Sequence, residues 1–314
     1  MDRPVWRIAV LAGGMSRERN ISLESGDSVA KALCECGHIV TRIDPGDTDL
    51  AGVDWSEYDI AFLALHGTFG EDGQVQRILE EAGIPFTGSN STVSHLAFSK
   101  SAAKERFAQN GIPTPPYVLI HQSDSALRIQ QQAASIGYPL IVKPDSQGSS
   151  LGVTIVRSPN DLPQALSRCF HFDQFGILEV VVDGSEWTLG MLDDSPLPLI
   201  QIETARGFFD YAAKYEDNTT RYLFEFAFPT NVVKAIETAG RCACEALGTS
   251  GLARADLRVD EHGQPWLLEV NTIPGMTSHS LVPKAAARLG LSMGELCEQV
   301  IENCLSRRLG AVAA

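Results

Sequence analysis

The sequence lacks the long apolar run that a membrane-spanning helix needs. None of its 314 residues fall in a stretch approaching the roughly 20 consecutive apolar residues that cross a bilayer. Near the start, the only apolar run is Ile8 to Ala12, which is too short for the core of a signal peptide. We therefore expect a soluble protein that carries no export signal and does not act at a membrane.

The sequence is also short of positive charge. It has 25 Lys and Arg against 39 Asp and Glu, so its formal net charge is −14. A chain of this charge repels nucleic acid and anionic membrane surfaces at long range. We therefore expect no nucleic-acid partner, although a few local Lys and Arg side chains can still bind the phosphates of a nucleotide.

Cysteine spacings typical of zinc sites are missing as well. Among the seven cysteines, Cys34 and Cys36 form one C-x-C pair and Cys242 and Cys244 another, without a C-x2-C pair or an accompanying histidine. An odd number of cysteines in a chain without a readable export signal indicates reduced thiols. This pattern predicts a cytoplasmic protein.

Neither of the two usual glycine patterns for phosphate binding, G-x-x-x-x-G-K-[ST] and G-x-G-x-x-G, is present. Instead, Lys143 ends an apolar strand and is followed by Gly148-Ser-Ser-Leu-Gly152. Glycines allow close approach to a phosphate, whose oxygens accept hydrogen bonds from backbone N–H groups and serine hydroxyls. A plain hairpin turn and a surface lysine have the same pattern, so both interpretations stay open.

The order of strands and helices divides the chain into three predicted domains. Residues 1–95 alternate apolar strands with helices, which favours a parallel α/β sheet covered on both faces. Residues 96–182 read as strand, glycine-rich loop, strand, helix and strand, a small α+β domain. From residue 183 to 314 the strands become antiparallel, and a turn at 260–264 joins the last two as a hairpin.

Four polar residues on that hairpin are candidates for a metal site. Arg254 and Asp256 lie two apart on one strand, and Glu269 and Asn271 lie two apart on the next, so each pair shares a face. If both pairs are on the same face, two carboxylates, an amide oxygen and a guanidinium converge, which suits Mg²⁺ with phosphates completing its shell. Solvated polar positions on an exposed sheet face would have the same spacing.

Taken in order, several segments resemble the ATP-grasp superfamily and, in detail, its D-alanine–D-alanine ligase family. The resembling segments are residues 10–23, 64–67 with 70–73, 85–89, 141–144 with 148–150, 211–215 and 268–281. The resemblance implies three-domain ATP-grasp architecture and ATP-dependent joining of two D-alanines, through an acyl phosphate, for peptidoglycan precursors. It also implies ATP as co-substrate, two Mg²⁺ ions (or Mn²⁺) and a homodimer.

The resemblance assigns the nucleotide side of the site. It implies that Lys100 and Lys143 hold the phosphates of ATP. It places Glu179 and Val182 at an adenine-side hinge and Glu186 on the ribose hydroxyls. It makes Asp256, Glu269 and Asn271 the metal ligands.

The resemblance assigns the amino-acid side in the same way. Glu18 would take the ammonium group of the first D-alanine, with His66 nearby and with Ser149 and Tyr215 completing a hydrogen-bonded chain to Glu18. Ser280 and Leu281 would position the carboxylate of the second D-alanine. Arg254 and the backbone N–H of Gly275 would face the developing oxyanion. By itself, Glu18 also fits an ordinary acid of a first helical turn, which the helix dipole favours.

Three departures from the family pattern and two rival functions stay open. Val180 follows Glu179 where a lysine is common, residues 215–229 look longer than usual, and Met15 replaces a small residue. One rival is a ligase that uses D-lactate or D-serine as second substrate; Tyr215 argues against D-lactate, whereas D-serine is not excluded. The other rival is a non-catalytic nucleotide-binding paralogue, which the complete set of metal-ligand candidates disfavours.

Overall fold

The computed structural model of the protein describes residues 4–204 and 219–312. The strands in these parts are β1 (Arg7–Leu11), β2 (Ile39–Ile43), β3 (Ile60–Leu63), β4 (Tyr117–His121), β5 (Leu140–Pro144), β6 (Thr154–Val156), β7 (Phe175–Val180), β8 (Ser185–Leu192), β9 (Ser195–Pro196), β10 (Ile200–Glu203), β11 (Arg221–Leu223), β12 (Leu252–Val259) and β13 (Pro265–Asn271). The α-helices are α1 (Arg19–Glu35), α2 (Gln74–Ala82), α3 (Ser91–Phe98), α4 (Lys100–Gln109), α5 (Ala126–Ile136), α6 (Leu162–Phe170), α7 (Thr230–Leu247), α8 (Leu281–Arg288) and α9 (Met293–Val312).

The first sheet is parallel, with strand order β2-β1-β3. One face of β1, with Ile8 and Val10, packs against Val29 of α1 and against apolar side chains of α9. The other face, with Leu11, packs against Leu79 of α2. Helices therefore cover both faces, as the continuous apolar strands predict.

The second sheet is antiparallel, with strand order β4-β7-β5-β6, and α5 and α6 contribute to its core. The strand predicted for residues 154–156 is β6. Helix α5 is not among the predicted elements, although Ser125 accepts a hydrogen bond from the backbone N–H of Arg128 and caps its start. The glycine-rich loop lies between β5 and β6, so its end points are fixed by the pairing of those strands.

The third sheet is antiparallel, with strand order β11-β10-β8-β12-β13, and β9 pairs with β8. On one face, Trp187 and Leu257 pack with Ile236 of α7 in a buried core. Along β12, these buried residues alternate with half-buried polar ones. The polar face is the one that the predicted metal ligands occupy.

The β12–β13 pairing settles whether the two polar pairs share a face. Arg254 pairs with Asn271 and Asp256 with Glu269, so all four side chains lie on the same side. The register then shifts, because Leu257 pairs with Leu267 and leaves Leu268 as an extra residue. A bulge of this kind turns adjacent side chains toward one surface, and both Leu268 and Glu269 are half-buried there.

The secondary structure differs from the predicted pattern in one place that concerns the site. Residues 278–281 are predicted only as part of a family motif, but Ser280 is the N-cap of α8, which begins at Leu281. Within residues 4–204 and 219–312, no helix is long and apolar enough to cross a membrane. The predicted domain limits at residues 95 and 182 stay predictions.

Candidate active site

Two adjoining cavities lie where the sheets meet. The larger one, about 510 Å³, is enclosed by the second sheet on one side and by β12 and β13 on the other. The smaller one, about 100 Å³, lies between the start of α1, the loop after β3 and the start of α8. Lys100, Gln147 and Glu269 line both cavities. The two cavities therefore meet at a position with one ammonium group and one carboxylate.

The larger cavity has an apolar part that suits a flat ring. Its apolar lining consists mainly of Pro115, Pro139, Ile141, Leu151, Val153, Ile155, Val180, Val181, Val182 and Leu268. At its edge, the guanidinium of Arg258 pairs with Glu186 at 3.3 Å and donates to the carbonyl oxygens of Val182 at 3.2 Å and Gly184 at 2.8 Å. Arg258 is not among the predicted site residues, and it holds the connection between β7 and β8 in place.

A buried ionic group forms one wall of the larger cavity. The ammonium groups of Lys143 and Lys104 lie 2.7 Å and 2.5 Å from the two carboxylate oxygens of Glu179. Burial alone would raise the pKa of Glu179, but the two lysines outweigh it and lower that pKa below its ordinary value. Glu179 therefore lies within β7, where its carboxylate pairs with two lysines. Only the residues after Val180 form the connection that is predicted as a hinge.

Carboxylates from the hairpin form the opposite wall. Arg254 donates to both oxygens of Asp256, at 2.9 and 2.8 Å, and the hydroxyl of Thr188 donates to the same carboxylate at 2.7 Å. The ammonium group of Lys100 lies 3.4 Å from Glu269. The amide oxygen of Asn271 accepts the backbone N–H of Ile273 at 2.8 Å, which fixes its orientation at the end of β13.

These oxygen ligands fit a magnesium site that phosphates complete. Within the parts of the chain that the structure describes, no group of three or more His, Cys, Asp or Glu is arranged to hold a metal ion. Asp256 of β12 lies directly opposite Glu269 of β13, and Asn271 lies two residues beyond Glu269 on the same face. Because Mg²⁺ is commonly held by one or two carboxylates together with substrate phosphates, this set suits it without a protein-only cage.

Glu18 lines the smaller cavity. The hydroxyl of Ser149 donates to its carboxylate, although the two residues are 131 positions apart. A Cβ atom added to Gly148 would lie 2.6 Å from a Glu18 oxygen, and one added to Gly67 would lie 2.5 Å from it. Both glycines therefore leave room for the carboxylate. An ordinary acid of a first helical turn, which the helix dipole favours, does not need a carboxylate enclosed in this way.

A second group of polar side chains lies beside Glu18. His66 and Glu71 are buried, with 3.5 Å between Nδ1 and the carboxylate, and the other ring nitrogen lies 3.0 Å from the hydroxyl of Ser25. The backbone N–H of Met276 donates to the same hydroxyl at 3.3 Å. Glu71 and Ser25 are not among the predicted site residues. The Gly70-Glu-Asp-Gly73 segment was the available signal for Glu71.

The start of α8 closes the smaller cavity. Gly275, Ser280 and Leu281 line it together. The hydroxyl of Ser280 accepts the backbone N–H of Thr277 at 3.0 Å, and a Cβ atom on Gly275 would lie 2.8 Å from that hydroxyl oxygen. The first N–H groups of a helix attract anions. The carboxylate of an amino acid is therefore suited to this end of the cavity.

The structure brings together nearly all residues predicted for the site. Lys143, Glu179, Val182, Glu186 and Asp256 line the larger cavity. Predicted residues that line the smaller cavity are Glu18, His66, Ser149, Arg254, Asn271, Gly275, Ser280 and Leu281. Lys100 and Glu269 line both, and Tyr215 lies outside the described residues.

Fold and site together define the class of protein. Two antiparallel sheets enclose one cavity, with Lys143 on the wall from the second sheet and the carboxylates of Asp256 and Glu269 on the wall from the third. This is the arrangement of an ATP-grasp ligase.

Comparison with known proteins gives the family. A family model described as the D-ala D-ala ligase C-terminus matches residues 107–302, and one described as the D-ala D-ala ligase N-terminus matches residues 45–89. A D-alanine–D-alanine ligase of Syntrophotalea carbinolica is 40% identical over 302 residues, covering 96% of this chain and 97% of that protein. The chain belongs to the D-alanine–D-alanine ligase family.

Solved structures agree with this assignment. The D-alanine–D-alanine ligase of Bacillus anthracis, complexed with ATP, has a TM-score of 0.85 and 32% identity and covers 98% of this chain and 100% of its own. The VanG D-Ala:D-Ser ligase of Enterococcus faecalis has a TM-score of 0.83 and 28% identity and covers 95% of this chain and 99% of its own. Both an alanine and a serine acceptor therefore occur among proteins of this fold.

Proposed function

We propose that the protein uses ATP to join two D-alanines into D-alanyl-D-alanine for peptidoglycan precursors. The observation that carries the proposal is the meeting of the two cavities at Lys100, Gln147 and Glu269. A nucleotide in the larger cavity would present its terminal phosphate at this point. An amino acid held at Glu18 in the smaller cavity would present its carboxylate to the same point.

The first step is phosphorylation of the first D-alanine. Glu18 accepts hydrogen bonds from the ammonium group, and one carboxylate oxygen of the substrate attacks the γ-phosphorus while the bond to ADP breaks. Lys100 and Lys143 lie on the phosphate side, where they stabilise the negative charge of the transferring group. Asp256, Glu269 and Asn271 would hold magnesium, which would supply further positive charge at the phosphate oxygens.

The second step is attack on the acyl phosphate. The carboxylate of the second D-alanine lies at the start of α8, beside Ser280 and Leu281, and its neutral amine attacks the acyl carbon. The carbon–oxygen bond to phosphate breaks, and the amine nitrogen gives up one of its protons to the departing phosphate. Arg254 and the backbone N–H of Gly275 face the oxyanion that forms in between.

Phosphate release from ATP tests the proposal directly. With Mg²⁺ present, D-alanine should give phosphate and the D,D-dipeptide, whereas L-alanine and D-lactate should give little or none. Turnover with L-alanine at the rate of D-alanine, or no turnover with D-alanine, would overturn it. Including D-serine in the same panel shows whether the second substrate is D-alanine or D-serine. The similarity to a D-Ala:D-Ser ligase is the specific reason for including it.

Some expectations from the sequence accompany this proposal. The roles given above to individual residues stay predictions. The same holds for two Mg²⁺ ions, a cytoplasmic location and a homodimer. The role of Tyr215 in the chain from Ser149 to Glu18 also stays a prediction. The hydrogen bond between Ser149 and Glu18 supports the part of that chain which the described residues include.

A further inference from the structure

Lys104 is a buried charged residue for which the proposed reaction has no direct use. Its side chain is 0% exposed, and it does not line either cavity. Its ammonium group lies 2.5 Å from Glu179 and donates to the hydroxyl of Thr114 at 2.6 Å. A fully buried ammonium group is costly unless it is paired, and Glu179 is the partner that offsets this cost.

The group around Lys104 contains one negative and two positive charges. One carboxylate oxygen of Glu179 forms an ion pair with Lys104, and the other forms one with Lys143. Lys143 and Glu179 line the larger cavity, and Lys104 lies behind them. With Lys104 protonated, as it is below about pH 8, the group has a net charge of +1. Without it, Glu179 would neutralise Lys143, and the group would have no net charge.

We infer that Lys104 is a positioning residue that neutralises Glu179, so that the positive charge of Lys143 remains available to the phosphates of the nucleotide. Glu179 then orients Lys143 through a hydrogen bond without cancelling its attraction for an anion. The inference rests on the proposed binding of ATP in the larger cavity.

Thr114 connects this group to the opposite wall. Its hydroxyl accepts from Lys104 and donates to the backbone oxygen of Leu267 in β13 at 2.8 Å. Glu269 lies two residues further along the same strand. Lys104 therefore contacts one wall through Glu179 and is linked to the other through Thr114. These contacts fix its position relative to the cavity, although it does not line the cavity.

The test compares binding of the magnesium complex of ADP, measured by calorimetry, with steady-state kinetics. Lys104→Met should raise the Kd of MgADP and the KM of ATP about tenfold, because one unit of positive charge is lost near the phosphates. The KM of D-alanine should stay within about twofold, since Glu18 lies in the other cavity. Lys31→Met, at an exposed lysine of α1, is the matched control and should change neither value.

The double variant Lys104→Met/Glu179→Gln distinguishes charge balance from a structural role. It returns the group to +1, so MgADP affinity should recover to within about threefold of wild type. Thr114→Val keeps all three charges and should change the Kd of MgADP by less than Lys104→Met does. If Lys104→Met does not fold, Lys104→Gln removes the same charge while keeping hydrogen-bonding groups, and the same results are expected.

Unchanged MgADP binding in the Lys104 variants would overturn the inference. A double variant that binds as weakly as Lys104→Met would overturn it as well, because a structural defect is not repaired by removing a second buried contact. Failure of the wild-type protein to bind MgADP would instead overturn the proposed function, together with this inference.

Discussion

At the scale of single residues, Glu269 is the carboxylate that lies where the two cavities meet. Its carboxylate faces Lys100 at 3.4 Å and is paired across the hairpin with Asp256. A carboxylate in this position can attract both the ammonium group of Lys100 and a divalent cation on ATP. Its charge therefore matters more than its hydrogen bonds.

Glu269→Gln should abolish turnover and leave the fold intact. The amide keeps the size of the side chain and can accept hydrogen bonds, but it removes one of the charges that would hold magnesium. Loss of such a ligand costs several kcal/mol of transition-state stabilisation, which corresponds to a rate loss of about 100-fold or more. Phosphate release at saturating Mg²⁺ and D-alanine measures the rate, and circular dichroism checks the fold.

Glu261→Gln is the matched control for Glu269→Gln, since Glu261 is exposed in the turn between β12 and β13. This control should keep the wild-type rate. If Glu269→Gln kept more than about a tenth of that rate, Glu269 would not be a metal ligand.

At the scale of structural elements, the loop between β5 and β6 places Ser149 on Glu18, and glycine makes this approach possible. Ser149 and Ser150 have positive φ angles of 49° and 57°, so the loop turns sharply at these residues. Gly148 precedes them and has no side chain to separate the loop from the Glu18 carboxylate. The conformation of the loop and the proposed position of the first D-alanine therefore depend on each other.

Gly148→Ala should raise the KM of D-alanine at least about tenfold without unfolding the protein. The added methyl group would lie 2.6 Å from a Glu18 oxygen, so the carboxylate or the loop must move. Steady-state kinetics measure the KM, and thermal unfolding measures stability.

Gly52→Ala is the control for Gly148→Ala, because a Cβ at Gly52 meets nothing within 4 Å. It should leave the KM of D-alanine unchanged. An unchanged KM in Gly148→Ala would mean that Glu18 does not bind the substrate ammonium group in the arrangement seen here.

At the scale of the whole molecule, the charge of Lys104 makes stability depend on pH. Burial lowers the pKa of Lys104 to about 8 from 10.5, partly offset by Glu179 and reinforced by Lys143. The Tyr117 ring also faces the ammonium group, at 5.6 Å. Between pH 8 and 10.5, the unfolded chain holds a proton at this lysine that the folded chain has released. The contribution of Lys104 to the free energy of unfolding therefore increases as the pH rises through that window.

The free energy of unfolding of wild type, relative to Lys104→Met, should therefore increase from pH 8 to pH 9.5. The expected gain is about 2 kcal/mol, from roughly 1.5 pH units at 1.36 kcal/mol each. Urea unfolding of both proteins at several pH values measures it. For Lys31→Met the corresponding difference should be flat over this range. A flat difference for Lys104→Met would mean that the folded-state pKa of Lys104 is not lowered.

The fold follows from local patterns in much of the chain. Continuous apolar strands separated by helices predict the parallel sheet, and the helix predicted for residues 74–82 is α2. The period of two along β12 and β13 predicts that Arg254 shares a face with Asp256, and Glu269 with Asn271. Such features depend on neighbours within a few residues, which is why the sequence is sufficient for them.

Other features depend on how distant segments pack, and only the tertiary structure decided them. The bulge at Leu268, the contact between Ser149 and Glu18 and the buried position of Lys104 each involve residues brought together from separate elements. A lysine in a helix has the same local pattern whether it points to water or to a buried glutamate. The sequence therefore determined the elements and the chemistry of the site residues. Packing of the three sheets decided which of those residues share a cavity, because that depends on contacts between segments far apart in the chain.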